Sequence, residues 1–225
     1  MTGVLLEWRR RWQLRRLPDC PLRDYLAKPF PRPGLDYRDA QYVAVDLETT
    51  GLDARRDQIL SIGWVRVDGN RIRLDTARHR LLRVAGAIPA DSAVIHQITD
   101  DDAALGLELS ATLPELLADL AGRVLIAHHA RVELGFLGAA CKRLWGRKLL
   151  VRTLDTQAVA RRLLERRQIP FKASDLRLHA LCERYNLPRH GAHNALSDAL
   201  SAAELFLAQA AHRDSGRGMA LGDFL

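Results

Sequence analysis

The sequence predicts an α/β protein, with a mixed β-sheet covered by helices. Three observations lead to that class. Three strand-like segments open the main body of the chain, and the last two are joined by Val67-Asp68-Gly69-Asn70-Arg71, whose Asp-Gly pair marks a hairpin. Short apolar strands then alternate with helical patterns. The helical stretches carry apolar faces, and the last of them is apolar around most of its cylinder. A length of 225 residues gives room for one sizeable domain with additions.

Taken in order, residues 1–39 form a basic N-terminal extension. Leu5, Trp8 and Trp12 recur at helical spacing among Arg9, Arg10, Arg11, Arg15 and Arg16, the pattern of an amphipathic helix. Its charged face is either solvated or turned to nucleic acid, a partner protein such as a polymerase, or an anionic membrane surface. Pro18, Pro21, Pro29, Pro31 and Pro33 follow and read as an irregular connector. The main domain, residues 40–211, begins with the strand Tyr42-Val43-Ala44-Val45-Asp46-Leu47. Strands are predicted at 60–67 and 71–82, a helix at 113–120, a strand at 124–127 and a helix at 131–144. A strand at 149–154 and helices at 156–167, 176–185 and 195–211 complete it, with no internal repeat. The tail, residues 212–225, contains Gly216, Gly218 and Gly222 and is expected to be loose or weakly docked.

Composition narrows the class. A hydrophobic fraction of 48% and a charged fraction of 27% suit a soluble globular protein. The net charge of +7, from 34 basic and 27 acidic residues, favours a polyanionic partner such as nucleic acid. Cys20, Cys141 and Cys182 are odd in number and far apart, which argues against a disulfide framework and against a zinc site. A reducing cytoplasm is the expected location. No apolar run reaches transmembrane length, so stable membrane insertion is not expected.

The chemistry is carried by acidic residues. Asp46 and Glu48, two apart on a strand, project from one face. Two carboxylates so close repel unless a cation lies between them, and all-oxygen ligation suits Mg²⁺ or Mn²⁺ rather than zinc. Alternatively, the pair simply faces water at a strand end. In the helix at 131–144, Val132, Phe136, Leu137, Ala140 and Leu144 form an apolar face with Glu133 in its middle. An unpaired carboxylate there carries a large desolvation cost, so Glu133 should bind a cation, face a cleft at the core's edge or pair with an arginine. Asp198 lies in apolar company in the first turn of the last helix, where the helix dipole favours its ionised form. His193, five residues earlier, can share a site with Asp198 only from the loop before the helix, and there it could take a proton from water.

At this point the residues resemble a known family. Asp46-Leu47-Glu48-Thr49-Thr50-Gly51, then Ala127-His128-His129-Ala130-Arg131-Val132-Glu133-Leu134-Gly135-Phe136-Leu137, then His193-Asn194-Ala195-Leu196-Ser197-Asp198 are similar to the three exonuclease motifs of the DnaQ-like DEDDh exonucleases. Ile88-Pro89 and Val94-Ile95-His96-Gln97-Ile98-Thr99 are similar to the region between the first two motifs. The resemblance implies a ribonuclease-H-like fold and 3′–5′ hydrolysis of single-stranded DNA or RNA to nucleoside 5′-monophosphates. It implies two Mg²⁺ or Mn²⁺ ions held by Asp46, Glu48, Glu133 and Asp198, with His193 as the base. It places Thr49, Gly51 and Leu52 around the 3′-terminal nucleotide, with Phe136 or His96 near its base and His129 able to alter substrate contacts. Two positions depart from the pattern: the family usually carries aspartate where this chain has Glu133, and asparagine where it has His129. Proofreading beside a polymerase, stand-alone DNA degradation and RNA trimming compete as tasks. The rival outside catalysis is a nucleic-acid-binding or polymerase-accessory scaffold whose site has weakened.

Overall fold

The computed structural model describes residues 3–191 and 193–225, the side chain of Ile95 excepted. Helices α1 (Gly3–Leu14) and α2 (Pro21–Ala27) precede strands β1 (Gln41–Thr49), β2 (Ile59–Asp68) and β3 (Arg71–Leu81). Helices α3 (Ala90–His96), α4 (Asp100–Ala104) and α5 (Leu109–Leu120) lead to β4 (Val124–Ala127). Then come α6 (Arg131–Trp145), β5 (Thr153–Asp155), α7 (Thr156–Arg166), α8 (Leu178–Arg184) and α9 (Ala195–Arg213). The strands form one mixed sheet in the order β3-β2-β1-β4-β5. The first three are antiparallel neighbours, while β4 pairs parallel with both β1 and β5.

The two-residue period of β1 explains both layers. Val43, Val45 and Leu47 point into a core shared with α2, α5 and α6, through Leu22, Leu26, Leu113, Leu117 and Leu137. Tyr42 and Ala44 point the other way, against Ala202, Ala203 and Phe206 of α9. Asp46 and Glu48 continue that second row, so the strand's alternation aims both carboxylates at the side occupied by α9.

The helix at the chain's start is present, but its expected apolar stripe does not pack. Trp8 is 61% exposed and Leu5 45%, whereas Leu6, Arg10 and Gln13 form the buried face. The guanidinium of Arg10 donates to the Leu26 carbonyl and to Glu7, and those bonds turn this face inward. The connector is not wholly irregular either. Pro21 opens α2, a position where a missing N–H costs nothing, and Leu22, Tyr25 and Leu26 are buried. The strand expected at 149–154 shrinks to Thr153–Asp155 because β4 offers it partners only at Leu125, Ile126 and Ala127. Residues 176–185 split into a 3₁₀ turn, Ala173–Leu176, and α8.

The tail is docked rather than loose. Leu221 and Phe224 are fully buried, and Phe224 stacks edge-to-face on Phe206 with centroids 5.6 Å apart. Arg162 donates to the carbonyls of Phe224 and Leu225, which satisfies backbone that would otherwise be stranded at this packed end.

Candidate active site

The acidic residues meet where β1 ends and α9 begins. Asp46, Glu48 and Asp198 each offer a carboxylate oxygen, and these oxygens lie within 4.8 Å of one another. Gly63 makes that approach possible. It sits opposite Asp46 on β2, and a Cβ there would lie 2.1 Å from both the Ala195 carbonyl carbon and the Leu196 nitrogen. Only a bare α-carbon lets the first turn of α9 come down onto the sheet.

Glu133 stands beside this trio rather than inside it. It is 3% exposed, its Oε2 has no hydrogen-bond partner, and its charge acts directly on Asp46. The arginine pairing weighed from the sequence is not found: among the described residues the groups acting on Glu133 are its own backbone N–H and Asp155.

His193 occupies the turn before α9, as the spacing required. Its backbone N–H donates to Asp198 Oδ2 at 2.9 Å, its φ is +62°, and its ring is exposed. His96 lies close enough to feel the charge of His193. Its Nδ1 accepts from the Ile98 N–H at 3.0 Å, so the neutral ring carries its proton on Nε2, which is buried without a partner.

The remaining expected residues divide. Thr49 donates from its hydroxyl to the Gly51 carbonyl at 2.6 Å, and Leu52 stands out from the same loop, 84% exposed. His129 has φ +62°, and its Nδ1 meets Gln157 Oε1 at 2.9 Å, away from the trio. Phe136 is buried in the core beneath β1, beside a small cavity that Ala54 and Asp57 also line.

Three supporting residues escaped the sequence reading. Asp155 accepts the N–H groups of His129 and Ala130 and also those of Gln157 and Ala158, so one carboxylate ties the start of α6 to the start of α7. Its signal was an aspartate at the first step of a helical pattern, the position of an N-cap. Asp57 accepts from the Asp53 N–H at 2.8 Å and fills the space where a Cβ on Gly51 would stand, 2.5 Å away. His128 is the third. Its Nε2 faces the Leu176 carbonyl, which can only accept, so that nitrogen holds the proton and Nδ1 accepts from the Thr156 hydroxyl. Burial pulls its pKa down to about 4, which marks it as a neutral strut.

A sequence profile of the exonuclease family, RNase_T, matches residues 43–206. The chain belongs to the exonuclease family. Among relatives of this exonuclease, the DNA polymerase III subunit epsilon of Treponema pallidum is 33% identical over 179 residues, covering 79% of this chain and 80% of the relative. The DNA polymerase III PolC-type of Thermotoga maritima is 32% identical over 171 residues, which are 76% of this chain but 12% of that much longer protein. In fold, the exonuclease resembles E. coli Exonuclease I in complex with a dA16 oligonucleotide, with a TM-score of 0.68 at 14% identity over 77% of this chain and 41% of the other. Exonuclease X in complex with 5′ overhanging duplex DNA superposes with a TM-score of 0.60 at 22% identity, over 81% of this chain and 99% of that one. The mixed sheet and its flanking helices are thus the ribonuclease-H-like fold expected of DnaQ-like enzymes.

The donor set of the exonuclease fits divalent metal. All candidate ligands are carboxylate oxygens, and the orphaned Oε2 of Glu133 lacks the partner that a buried anion needs. Burial is the largest influence on each of the four. It pushes Glu48 up to about 7 and Glu133 to about 8, and it raises Asp46 and Asp198, with repulsion from its neighbours adding at Asp46. For Asp198 this opposes the preference for the anion expected from the helix start. Removal from water outweighs the His193 N–H that favours the anion.

A pH dependence of opposite sense to the usual one follows. Carboxyls whose folded values are raised hold protons more tightly in the folded chain, so their contribution to stability is complete below the ordinary glutamate value of 4.5 and is lost as pH climbs through about 7 to 8. Metal-free protein is expected to lose on the order of a few kcal/mol across that window, and saturating Mg²⁺ or Mn²⁺ should restore it at the alkaline end. Thermal melts in EDTA and in metal, at both ends of the window, measure this. Equal melting temperatures in all four samples would count against a desolvated carboxylate cluster.

Proposed function

We propose that this protein removes nucleotides from the 3′ end of single-stranded nucleic acid, DNA ahead of RNA, and releases nucleoside 5′-monophosphates. The observation that carries the proposal is the convergence of Asp46, Glu48 and Asp198 beside exposed His193. Bound as a pair, Mg²⁺ or Mn²⁺ ions would supply charge stabilisation at the attacking and leaving oxygens of an in-line displacement. Asp46, which feels the charge of all three other carboxylates, would help hold the metal, and Glu133 would contribute through its free Oε2. His193 takes the proton from the attacking water. Its backbone is fixed to Asp198, so the ring swings from an anchored point.

Thr49, Gly51 and Leu52 line the place of the 3′-terminal nucleotide. The loop is braced by Asp57 from behind, and Leu52 offers an apolar surface to a sugar or base. His96 can donate from Nε2 to an acceptor on that nucleotide, while His129, held by Gln157, and Phe136, buried in the core, act only by shaping the surroundings. We assign this work to residues 40–211. The polymerase III names of the relatives support a task beside a polymerase.

The test is incubation of 5′-labelled single-stranded DNA and RNA with protein and Mg²⁺ or Mn²⁺. A ladder shortened from the 3′ end is expected, absent in EDTA and in Asp46→Ala. Binding of either strand without cleavage under both metals would support the weakened scaffold instead.

A further inference from the structure

The end of the sheet remote from the carboxylates holds a second recess. It lies between α1 and the proline-rich strap at residues 29–33 and has a volume of about 650 Å³, within the range of ligand sites. Val4 and Trp8 wall one side, and Phe30, Pro31 and Pro33 wall the other. A neighbouring hollow across the strap reaches Gln41, the first residue of β1, and Gly122 just before β4, which fixes this region at the strands' starting ends.

Arg152 faces into this recess. It is 7% exposed, its Nε has no hydrogen-bond partner, and burial lowers its pKa. Among the described residues no carboxylate forms an ion pair with it. The charge of Glu7 reaches Arg152, but a buried guanidinium with no ion-paired carboxylate still carries a desolvation cost that a bound one would offset. Glu7 lines the recess but is already taken by Arg10 and Arg11. Arg11 and Arg32, also in the lining, leave the rim basic.

We propose that this recess binds an acidic, apolar peptide segment of a protein partner. A carboxylate of the segment pairs with Arg152, and an apolar side chain lies between Trp8 and Phe30. A polynucleotide fits the chemistry less well, because the one buried cation of the recess sits behind valine, tryptophan, phenylalanine and proline walls beside the acidic Glu7 rather than along an open basic track. The assignment also explains why the apolar stripe of α1 faces outward.

The probe is a short fluorescein-labelled peptide alternating glutamate with leucine and phenylalanine, followed by anisotropy with the full-length protein. Binding is expected, weakened about tenfold or more by Arg152→Gln and by Trp8→Ala, with Asp46-dependent hydrolysis unchanged in both. Trp8 is exposed, so its variant keeps the test valid if Arg152→Gln folds poorly. A peptide with lysine in place of glutamate should not bind. No binding, or equal binding by both variants, overturns the proposal. So does oligodeoxythymidylate that displaces the peptide and is itself weakened by the same two changes, since that result assigns the recess to nucleic acid.

Discussion

Asp198→Asn is expected to lose hydrolysis by about a thousandfold or more while the fold survives. The side chain does two things at once. It supplies one of the three clustered oxygens, and its Oδ2 holds the His193 N–H at 2.9 Å. Asparagine can keep the second role through its amide oxygen but loses the charge that gathers metal. Removing a desolvated charge from a crowded acidic cluster should leave the metal-free melting temperature equal or higher. That pairing, lost turnover with undiminished stability, separates a ligand from a structural residue. His193→Ala should cost about a hundredfold or more in turnover and leave metal-dependent stabilisation intact. Wild-type turnover in Asp198→Asn would rule out the trio as the reacting centre.

The second large effect is expected at a residue with no side chain. In Gly63→Ala the new methyl would meet backbone atoms of Ala195 and Leu196 at 2.1 Å, and neither can rotate aside. Either β2 bends or α9 lifts from the sheet. A stability loss of about 3 kcal/mol is expected from such overpacking. Turnover should fall further than stability, because the displaced turn carries Asp198 and adjoins His193. Urea unfolding and turnover measured together decide it. A variant as stable and active as the parent would show that this close approach does not position the site.

The acidic row was readable because its logic is local. Asp46 and Glu48 share a face by the period of a strand, and His193 had to precede the helix because five residues within it would separate the pair by about 140°. Glu133 stood out as a charge on an apolar stripe. What escaped depends on partners distant in the chain. Nothing near Trp8 tells that Arg10, two residues and about 3 Å of helix rise along, would take the inward position by reaching the Leu26 carbonyl. Phe224 follows three glycines, yet it is held by Phe206 and by Arg162. Gly63 did leave a trace, as a glycine inside an otherwise apolar strand, but which backbone approaches it is a tertiary fact. At Asp198 the helix start favours the anion, while the opposing cost of burial comes from packed surroundings that the local sequence does not show.

The two margins of the sheet bear on how copies of the protein behave together. One margin is β3, which carries Arg71, Arg73, Arg78 and Arg80, with Arg73 paired to Asp68 and Asp75 and Arg80 to Glu115. The other is β5, only three residues long. A charged border and a stub give an incoming strand little to align with, so neither margin serves as a template for edge-to-edge growth. Assembly with itself or with others has to proceed through helices and loops, and concentrated solutions should resist the ordered aggregation that open sheet borders invite.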